Sequence, residues 1–552
     1  MTGVWRDRLA AGWARALALR ARPRLMAALC GLLLGFAQPP FGFLPGLFAY
    51  GVLLWLLEGE MGPMPRRRAF AIGWIAGFFY FLVSCYWVAE AFLVFADTYG
   101  WMAPFAALLL PAGIALFWGA FAVCYRQFAP RGAKRFLFFA VLFCLFEFVR
   151  GSILSGFPWN PAGSTWRAGD AMSQVASWAG VYGLSFITVA IFASIAVLRR
   201  GGGWKGYAPA IAAAAVLVLC MAGGEIRLLT TPVGYSDYVI RVVQPAVGQK
   251  EKWSRGAFEG LFGDYVSMTR AAPAAGHKRP DLVIWPEGAL EYSVEDLFAD
   301  DSWTAPVLAT LLQDNQTLIQ GVTRRDRDAE GREVWRNSLM VMHQEHNQAV
   351  IEGFADKFKL VPLGEIMPFQ MLARRIGFKA LTHFDDNFTP GHRIKAVSFA
   401  SIPRVLPMIC YEGIFPALDM TNYRSSNDPL RPKWIVNISN DAWFGPTSGP
   451  LQHLNLASYR AIEEGIPMVR STPTGVTGLI DPLGRVVAGT QLGINHRGYR
   501  DFNLPLPGKI TPFARFHDAN VIIMALFCFI LMAMDTLVGV VKKNAVRAHP
   551  PH

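Results

Sequence analysis

The chain has 552 residues, of which 53% are hydrophobic and only 17% are charged. Because soluble globular proteins carry about 25% charged residues, this composition excludes a disordered chain and is unusual for a cytosolic enzyme. The net charge of +12 is typical of an apolar chain whose cytoplasmic loops are rich in Lys and Arg. We therefore expect a membrane protein and no nucleic-acid partner.

Long apolar runs fill the first part of the chain, and a membrane-spanning helix needs about 20 mostly apolar residues. They predict a membrane domain of seven helices over residues 1–225, with runs at 25–38, 41–57, 69–96, 101–125, 136–154, 173–198 and 207–224. A last run, 521–541, predicts an eighth span within residues 518–552, which end in a cytoplasmic tail. The first two runs are short, so they are compatible with either two full spans or one re-entrant pair.

Predicted loops that are rich in Lys and Arg alternate with loops that contain few of them. Lys and Arg are frequent in the N-terminal arm, after the second, fourth and sixth runs, and in the C-terminal tail, but loops 39–45 and 97–100 have none and 155–172 has only Arg167. Since positive loops stay in the cytoplasm, about eight spans with both termini in the cytoplasm are predicted. The region between the seventh and eighth spans would then lie in the periplasm, with the protein in a bacterial inner membrane.

Residues 236–505 contain no run long enough to span a membrane. Strand-like segments at 238–244, 281–285 and 434–439 alternate with helix-like segments such as 254–271 and 449–465. This alternation predicts an α/β layered soluble domain. No glycine-rich phosphate loop and no CxxC pair occur in the sequence, so we expect neither a nucleotide cofactor nor a zinc ribbon, and we expect no metal.

One cysteine differs from the others in its surroundings. Cys410 ends the strand-like run 405–409 in the soluble block, and two interpretations remain open for it. It could be a buried core thiol, since free Cys is often buried, or a nucleophile at a strand end. The other six cysteines lie in apolar runs: Cys30, Cys85, Cys124, Cys144, Cys220 and Cys528.

An acid and a base occupy comparable positions. Glu287 follows the strand-like run 281–285, where desolvation would raise its pKa toward that of a general base; the alternative is a solvated loop carboxylate. Lys357 and Lys359 share one face of an extended segment, so periodicity cannot choose between them. Either lysine could also be an ordinary solvated side chain.

Three short segments resemble those of a known superfamily. Residues 285–287 (Trp-Pro-Glu), Lys357 with 360–365, and 410–412 (Cys-Tyr-Glu) are similar to the Glu, Lys and Cys blocks of the nitrilase superfamily. With eight spans, the chain resembles the apolipoprotein N-acyltransferases of bacteria. Further similar segments lie at 150–159, 244–253, 437–445, 449–453 and 470–475. The resemblance covers nearly the whole chain and implies a nitrilase-like, four-layer α-β-β-α soluble domain.

The resemblance assigns catalytic roles. It implies that Cys410 is the nucleophile, Glu287 the general base and Lys357 the cation that stabilises the oxyanion. It also selects Lys357 over Lys359, because the matching lysine stands eight residues before Glu365.

The resemblance also implies supporting residues. Glu365 and Glu412 would orient Lys357 and the turn that carries the nucleophile. Trp253 and Tyr411 would contact the acyl chain or another part of the substrate.

The implied reaction is an acyl transfer in two steps. An acyl chain would pass from a membrane phospholipid, through a thioester on Cys410, to the α-amine of the N-terminal diacylglyceryl-cysteine of an apolipoprotein. This would be the last step of bacterial lipoprotein maturation, and a monomer suffices for it. The alternative enzyme is a membrane-tethered nitrilase-type amidase that uses water in place of the amine. A transporter or structural membrane protein, whose soluble domain only binds, is the alternative outside enzymes.

Two acids fall inside predicted spans, where an ionisable group is costly and often functional. Glu90 lies in the run 69–96 and Glu147 in the run 136–154. We expect Glu147 to pair locally with Arg150 at the membrane interface. A second hypothesis is that Arg150 meets a lipid phosphate.

Overall fold

A computed structural model describes residues 22–58, 64–198, 203–252, 256–290, 292–346, 348–366, 388–419, 421, 423, 425–517 and 519–548. All statements about the structure concern these residues.

The N-terminal region is a bundle of apolar helices. They are α1 (Pro23–Ala37), α2 (Ala49–Glu58), α3 (Arg66–Cys85), α4 (Val88–Leu93), α5 (Ala96–Tyr99), α6 (Ala103–Phe128), α7 (Arg135–Ser152), α8 (Ala176–Ala193) and α9 (Ala208–Thr230).

Four stretches are long and apolar enough to cross a membrane: 66–85, 96–128, 171–197 and 208–230. Shorter apolar helices are Pro23–Ala37, Leu44–Glu58 and Ala519–Ala533. A helix of 15 residues, such as α1, is about 22 Å long, against a hydrocarbon core of about 30 Å. By length and composition, the described residues therefore support four spans, and the predicted count of eight is not established.

Glycines allow the first helices to pack closely. A Cβ atom added to Gly31 of α1 would lie 2.2 Å from the carbonyl oxygen of Ala76 in α3. A Cβ on Gly73 of α3 would lie 2.3 Å from the carbonyl oxygen of Trp118 in α6. Small residues at such crossings let helix backbones approach, which is the usual way that membrane helices pack.

The predicted run 69–96 is not one helix. α3 ends at Cys85, and Glu90 lies on the separate short helix α4. A Cβ on Gly445 of the soluble block would lie 2.7 Å from the Glu90 carboxylate. Glu90 therefore lies against the soluble block beyond the end of α3, not within a long span as the sequence suggested.

Glu147 and Arg150 form the predicted pair, but inside the protein. Arg150 Nη2 lies 2.6 Å from Glu147 Oε2, and both side chains are buried. Trp118 Nε1 donates to Glu147 at 3.0 Å, and Arg150 donates to the carbonyl oxygens of Phe157 and Trp159. The guanidinium is thus used to hold the loop after α7, which argues against its contact with a lipid phosphate.

We expect Arg150→Met to destabilise the protein by about 3–5 kcal/mol, because it leaves the Glu147 carboxylate buried without its cation. The measurement is thermal unfolding in detergent micelles. The Glu147→Gln/Arg150→Met double variant is the control and should regain part of the loss, since no charge then stays buried. A single variant as stable as the wild type would contradict this role of the pair.

Ten strands follow in the soluble block, and they form two sheets. They are β1 (Tyr235–Gln244), β2 (Leu282–Ile284), β3 (Thr317–Arg327), β4 (Glu333–Glu345), β5 (Gln348–Asp356), β6 (Val405–Ile409), β7 (Trp434–Ile438), β8 (Met468–Ser471), β9 (Gly478–Ile480) and β10 (Gly498–Pro505). The first sheet has the order β10-β1-β2-β3-β4-β5 and the second β6-β7-β8-β9. In each sheet three neighbours are parallel, β1-β2-β3 in the first and β6-β7-β8 in the second.

The helices of this block complete the fold. They are α10 (Gln249–Lys252), α11 (Ala257–Arg270), α12 (Val294–Leu297), α13 (Thr304–Ala309), α14 (Gly449–Glu464), α15 (Pro512–Phe516) and α16 (Ala519–Ala548). The predicted helices 254–271 and 449–465 correspond to α11 and α14.

Apolar contacts arrange these elements in layers. One cluster joins the facing sides of the two sheets, for example Ile284 with Val436. A second covers the outer side of the first sheet with α11, α12 and α13. A third joins the outer side of the second sheet to α14 and, beyond it, to the membrane helices. The soluble block is therefore an α-β-β-α sandwich whose second helical layer packs on the N-terminal bundle.

Candidate active site

Cys410 directly follows β6 in a strained backbone conformation. Its φ angle is 50°, a left-handed value that non-glycine residues rarely adopt. A short 3₁₀ turn, Cys410–Ile414, begins at this residue. Backbone strain of this kind occurs mainly where the surrounding structure enforces it, often at functional sites. The strand end and the turn together fix the position of Cys410, which is buried.

Lys357 follows β5 and lies between two carboxylates. Its Nζ is 2.9 Å from Glu287 Oε1 and 2.9 Å from Glu365. Both oxygens of Glu365 lie at this distance from the ammonium group. Lys357 is 2% exposed. The two carboxylates therefore fix the position of a buried cation.

Glu287 follows β2 and is held at both oxygens. Asn337 of β4 donates to its Oε1 at 2.8 Å and also to Glu365 at 2.6 Å. The backbone N–H of Asn440, just after β7, donates to Oε2 at 2.8 Å. Interaction with the Cys410 thiol also lowers the pKa of this carboxylate. Glu287, Lys357 and Cys410, which we call the Glu-Lys-Cys cluster, thus meet where strands from both sheets end.

The charges in the cluster oppose the expected pKa direction for Glu287. Burial alone would raise the pKa of Glu287, but the charge of Lys357 and the hydrogen bonds from Lys357, Asn337 and Cys410 hold it below its usual value. The prediction that desolvation raises this pKa is therefore wrong in its net direction. A carboxylate that is ionised at neutral pH can accept a proton, which is what a base requires.

The thiol has the opposite shift. Burial, and then the charge of Glu287, raise the pKa of Cys410, and the opposing effect of Lys357 is too small to reverse this. Burial alone would lower the pKa of Lys357, but the charges of Glu287 and Glu365 raise it above its usual value. At neutral pH the resting cluster therefore holds a neutral thiol beside a carboxylate and an ammonium group.

Glu412 connects two segments of the site: the nucleophile turn, Cys410–Ile414, and the lysine loop, residues 357–366, which follows β5. Its carboxylate accepts hydrogen bonds from the backbone N–H groups of Ile409 at 2.7 Å, Phe358 at 2.7 Å and Lys359 at 3.1 Å. Glu412 is buried. One side chain thus sets the distance between the strand end that carries Cys410 and the segment that carries Lys357.

A buried polar network supports the nucleophile turn from behind. Arg470 Nη2 donates to Asp441 at 2.7 Å, and the ring nitrogens of His453 lie 2.9 Å from Asp441 Oδ1 and 3.2 Å from the carbonyl oxygen of Cys410. Burial and the charge of Arg470 lower the pKa of His453. His453 is therefore neutral near pH 7 and contacts the backbone of the nucleophile, not its sulfur.

Tyr411 links the cluster to the membrane helices. Its hydroxyl donates to the carbonyl oxygen of Gly156 at 2.6 Å, in the loop after α7, and its ring packs on Phe415. The site thus lies at the seam between the soluble block and the N-terminal bundle. Trp253, the other predicted substrate contact, is outside the described residues.

The sequence reasoning missed several residues at the site. Asn337 bridges both carboxylates, yet it lies in the middle of β4. The signal for it was available, because Asn is uncommon inside strands. Asn440, His453 and Arg470 fell within segments that resembled the family, but no role was assigned to them. Within the described ranges, no group of three or more His, Cys, Asp or Glu side chains could hold a metal ion.

Comparison with known proteins identifies the family. Residues 30–194 match the apolipoprotein N-acyltransferase N-terminal domain, and residues 240–499 match the carbon-nitrogen hydrolase domain. The apolipoprotein N-acyltransferase of Caulobacter vibrioides is 42% identical over 92% of this chain and 94% of its own length.

Two other relatives of the same name agree. The protein of Rhodopseudomonas palustris is 35% identical over 95% of this chain and 96% of its own. That of Brucella melitensis is 34% identical over 90% and 91%. The matches span both the helical bundle and the sandwich, so the chain belongs to the apolipoprotein N-acyltransferase family.

Proposed function

We propose that this N-acyltransferase moves an acyl chain from a membrane phospholipid, through a thioester on Cys410, to the α-amine of the N-terminal diacylglyceryl-cysteine of apolipoproteins. The observation that carries this proposal is the contact of Lys357 with both Glu287 and Glu365, beside Cys410, at the seam with the membrane helices. The cluster has a nucleophile, a base and a cation, and the apolar helices give lipid substrates access to it.

The first half-reaction forms the thioester. The Cys410 sulfur attacks the ester carbonyl carbon while its proton passes to Glu287, since the thiol is neutral at rest. The positive charge of Lys357 stabilises the oxyanion. When the C–O bond breaks, the lysophospholipid oxygen takes the proton back from Glu287, which leaves an acylated Cys410 and an ionised carboxylate.

The second half-reaction forms the amide. The amine of the diacylglyceryl-cysteine attacks the thioester carbon and gives one proton to Glu287. Lys357 stabilises the second oxyanion. The C–S bond then breaks, and the sulfur of Cys410 recovers the proton from Glu287, which restores the resting cluster.

We also propose a membrane topology. Residues 1–225 would contain seven spans, residues 236–505 would form a periplasmic catalytic domain, and residues 518–552 would form the last span and a cytoplasmic tail of a monomeric inner-membrane protein. The alternation of Lys and Arg between loops supports this orientation. Labelling of single cysteines introduced at position 278 and near the C-terminus, in intact and in permeabilised cells, would test it.

An amidase is not favoured as the function, because the relatives that match along the whole chain are named acyltransferases. The test is incubation of purified protein with acyl-labelled phospholipid and a diacylated lipopeptide. An N-acyl peptide is the expected product. Release of labelled free fatty acid at the same rate with and without the lipopeptide would contradict the transfer and support a hydrolase.

A further inference from the structure

Lys359 is the lysine that the Glu-Lys-Cys cluster does not use. Its backbone N–H donates to Glu412, which also accepts from Ile409, the residue before Cys410. Its Nζ lies over the ring of Phe415, 5.0 Å from the centroid, and 5.5 Å from that of Phe358. The ammonium group thus rests on two aromatic rings beside the nucleophile turn.

The ammonium group of Lys359 makes no ion pair among the described residues. Among the described residues, no carboxylate or carbonyl oxygen accepts a hydrogen bond from its Nζ, and the same holds for the exposed Arg393. Burial, and then the charge of Arg393, lower the pKa of Lys359, and the charge of Glu412 opposes them. A partly buried ammonium group of this kind would be stabilised by an anionic ligand.

The protein surface near Lys359 carries exposed apolar side chains, as surfaces that contact lipid do. Ile153 and Leu154, at the end of α7, are 47% and 88% exposed, and Leu363 in the lysine loop is 46% exposed. A Cβ atom added to Gly156, in the loop after α7, would lie 2.9 Å from the Phe415 ring that Lys359 contacts. Apolar loop tips next to a cation are typical of segments that insert into the boundary between acyl chains and headgroups.

We propose that Lys359 binds the phosphodiester of the donor phospholipid while its ester carbonyl lies at Cys410. In a glycerophospholipid only a few bonds separate the phosphate from the ester carbonyls. Glu412 accepts hydrogen bonds from the backbone of Lys359 and from that of Ile409, which precedes Cys410, so one carboxylate ties the two segments together. A lysine ammonium suits a phosphate oxygen as a compact point charge.

This phosphate site rests on the function proposed above. It predicts that Lys359 affects the two half-reactions differently. The phospholipid donor carries a phosphate, whereas the diacylglyceryl group of the acceptor does not. Lys359 should therefore contribute to formation of the thioester and not to the transfer of the acyl chain to the amine.

The test compares donors with and without a phosphate. We expect Lys359→Gln to lower kcat/KM about tenfold with phosphatidylethanolamine, mainly through KM. With p-nitrophenyl palmitate, which has no phosphate, the variant should match the wild type, as it should in transfer from a preformed thioester to a lipopeptide. Lys359→Arg should retain most of the activity. Lys278→Gln, at an exposed lysine paired with Asp281, is the matched control and should change nothing.

Two outcomes would overturn this site. Equal losses with both donors would assign Lys359 to the fold, and an unchanged KM for phosphatidylethanolamine would exclude a phosphate contact. Inorganic phosphate, compared with sodium chloride at equal ionic strength, should not inhibit the wild type; inhibition that Lys359→Gln removes would assign the site to free phosphate. A wild type that reacts with p-nitrophenyl palmitate but never with phospholipid would instead contradict the proposed function itself.

Discussion

Cys410→Ala should form no covalent acyl adduct with labelled phospholipid, and its turnover should fall by at least about 10⁴-fold, since removal of a nucleophile removes the two-step route. The reason is specific to this thiol. Both Glu287 and Lys357 influence the pKa of Cys410, whereas the thiols of Cys30, Cys85 and Cys144 in the helical bundle lie in an apolar core. Intact-protein mass spectrometry, followed by peptide mapping, would detect the adduct and its position.

Cys220→Ala is the matched control. Cys220 lies in α9, is partly exposed and is distant from the cluster in the chain. This variant should acylate as fully as the wild type. An adduct that survives in Cys410→Ala, or that disappears in Cys220→Ala, would show that another group carries the acyl chain.

Cys410→Ser separates the nucleophile from the space it occupies. A serine keeps the shape of the side chain and its proximity to Glu287, but its oxygen is a weaker nucleophile than sulfur at neutral pH. We expect an oxygen ester that forms slowly and resists hydroxylamine at neutral pH, where a thioester is cleaved. A hydroxylamine-sensitive adduct in this variant would contradict attachment at position 410.

Local patterns predicted the parts of the site that lie at strand ends. Glu287 and Cys410 follow short apolar runs, and such runs read correctly as buried strands because both faces of each sheet are covered. The choice between Lys357 and Lys359 needed the family resemblance. In the structure the two lysines differ, because Lys357 is buried between two carboxylates and Lys359 extends onto aromatic rings.

Features that depend on residues far apart in the chain could not be predicted from the sequence. Asn337 becomes part of the site only because β4 pairs with β5, which ends at Asp356, the residue before Lys357. The net direction of the Glu287 pKa shift was also predicted wrongly. An apolar strand predicts burial, but the opposing charge belongs to Lys357, which is 70 residues away in the sequence. Helix lengths in the bundle were similarly hidden, because an apolar run does not reveal where a helix breaks, as at Cys85.

Lys357→Met should lower kcat by about 10²–10³-fold, the usual cost of removing one oxyanion donor. It should also destabilise the protein by about 3–5 kcal/mol at neutral pH, because one member of a buried ion pair is lost. Glu287 and Glu365 would then share the Asn337 amide without a cation between them. Two buried carboxylates that bind the same amide group cannot both stay ionised at low cost, so one of them should take up a proton.

The pH profile distinguishes this effect from simple misfolding. In the wild type, Lys357 and its hydrogen bonds hold the pKa of Glu287 low, so the base is ionised over the whole physiological range. In Lys357→Met the burial of Glu287 is no longer opposed, and its pKa should rise. The acidic limb of kcat/KM for thioester formation should therefore move to higher pH, and the residual activity should increase with pH where that of the wild type is flat.

Lys357→Arg is the conservative comparison. It keeps a positive charge near Glu287, so the acidic limb should stay close to that of the wild type even though the bulkier, planar guanidinium misplaces the donor and kcat falls. If Lys357→Met kept the wild-type pH profile while losing activity, Lys357 would not set the charge state of Glu287. The coupling of base and cation would then be wrong, even if Cys410 still carried the acyl chain.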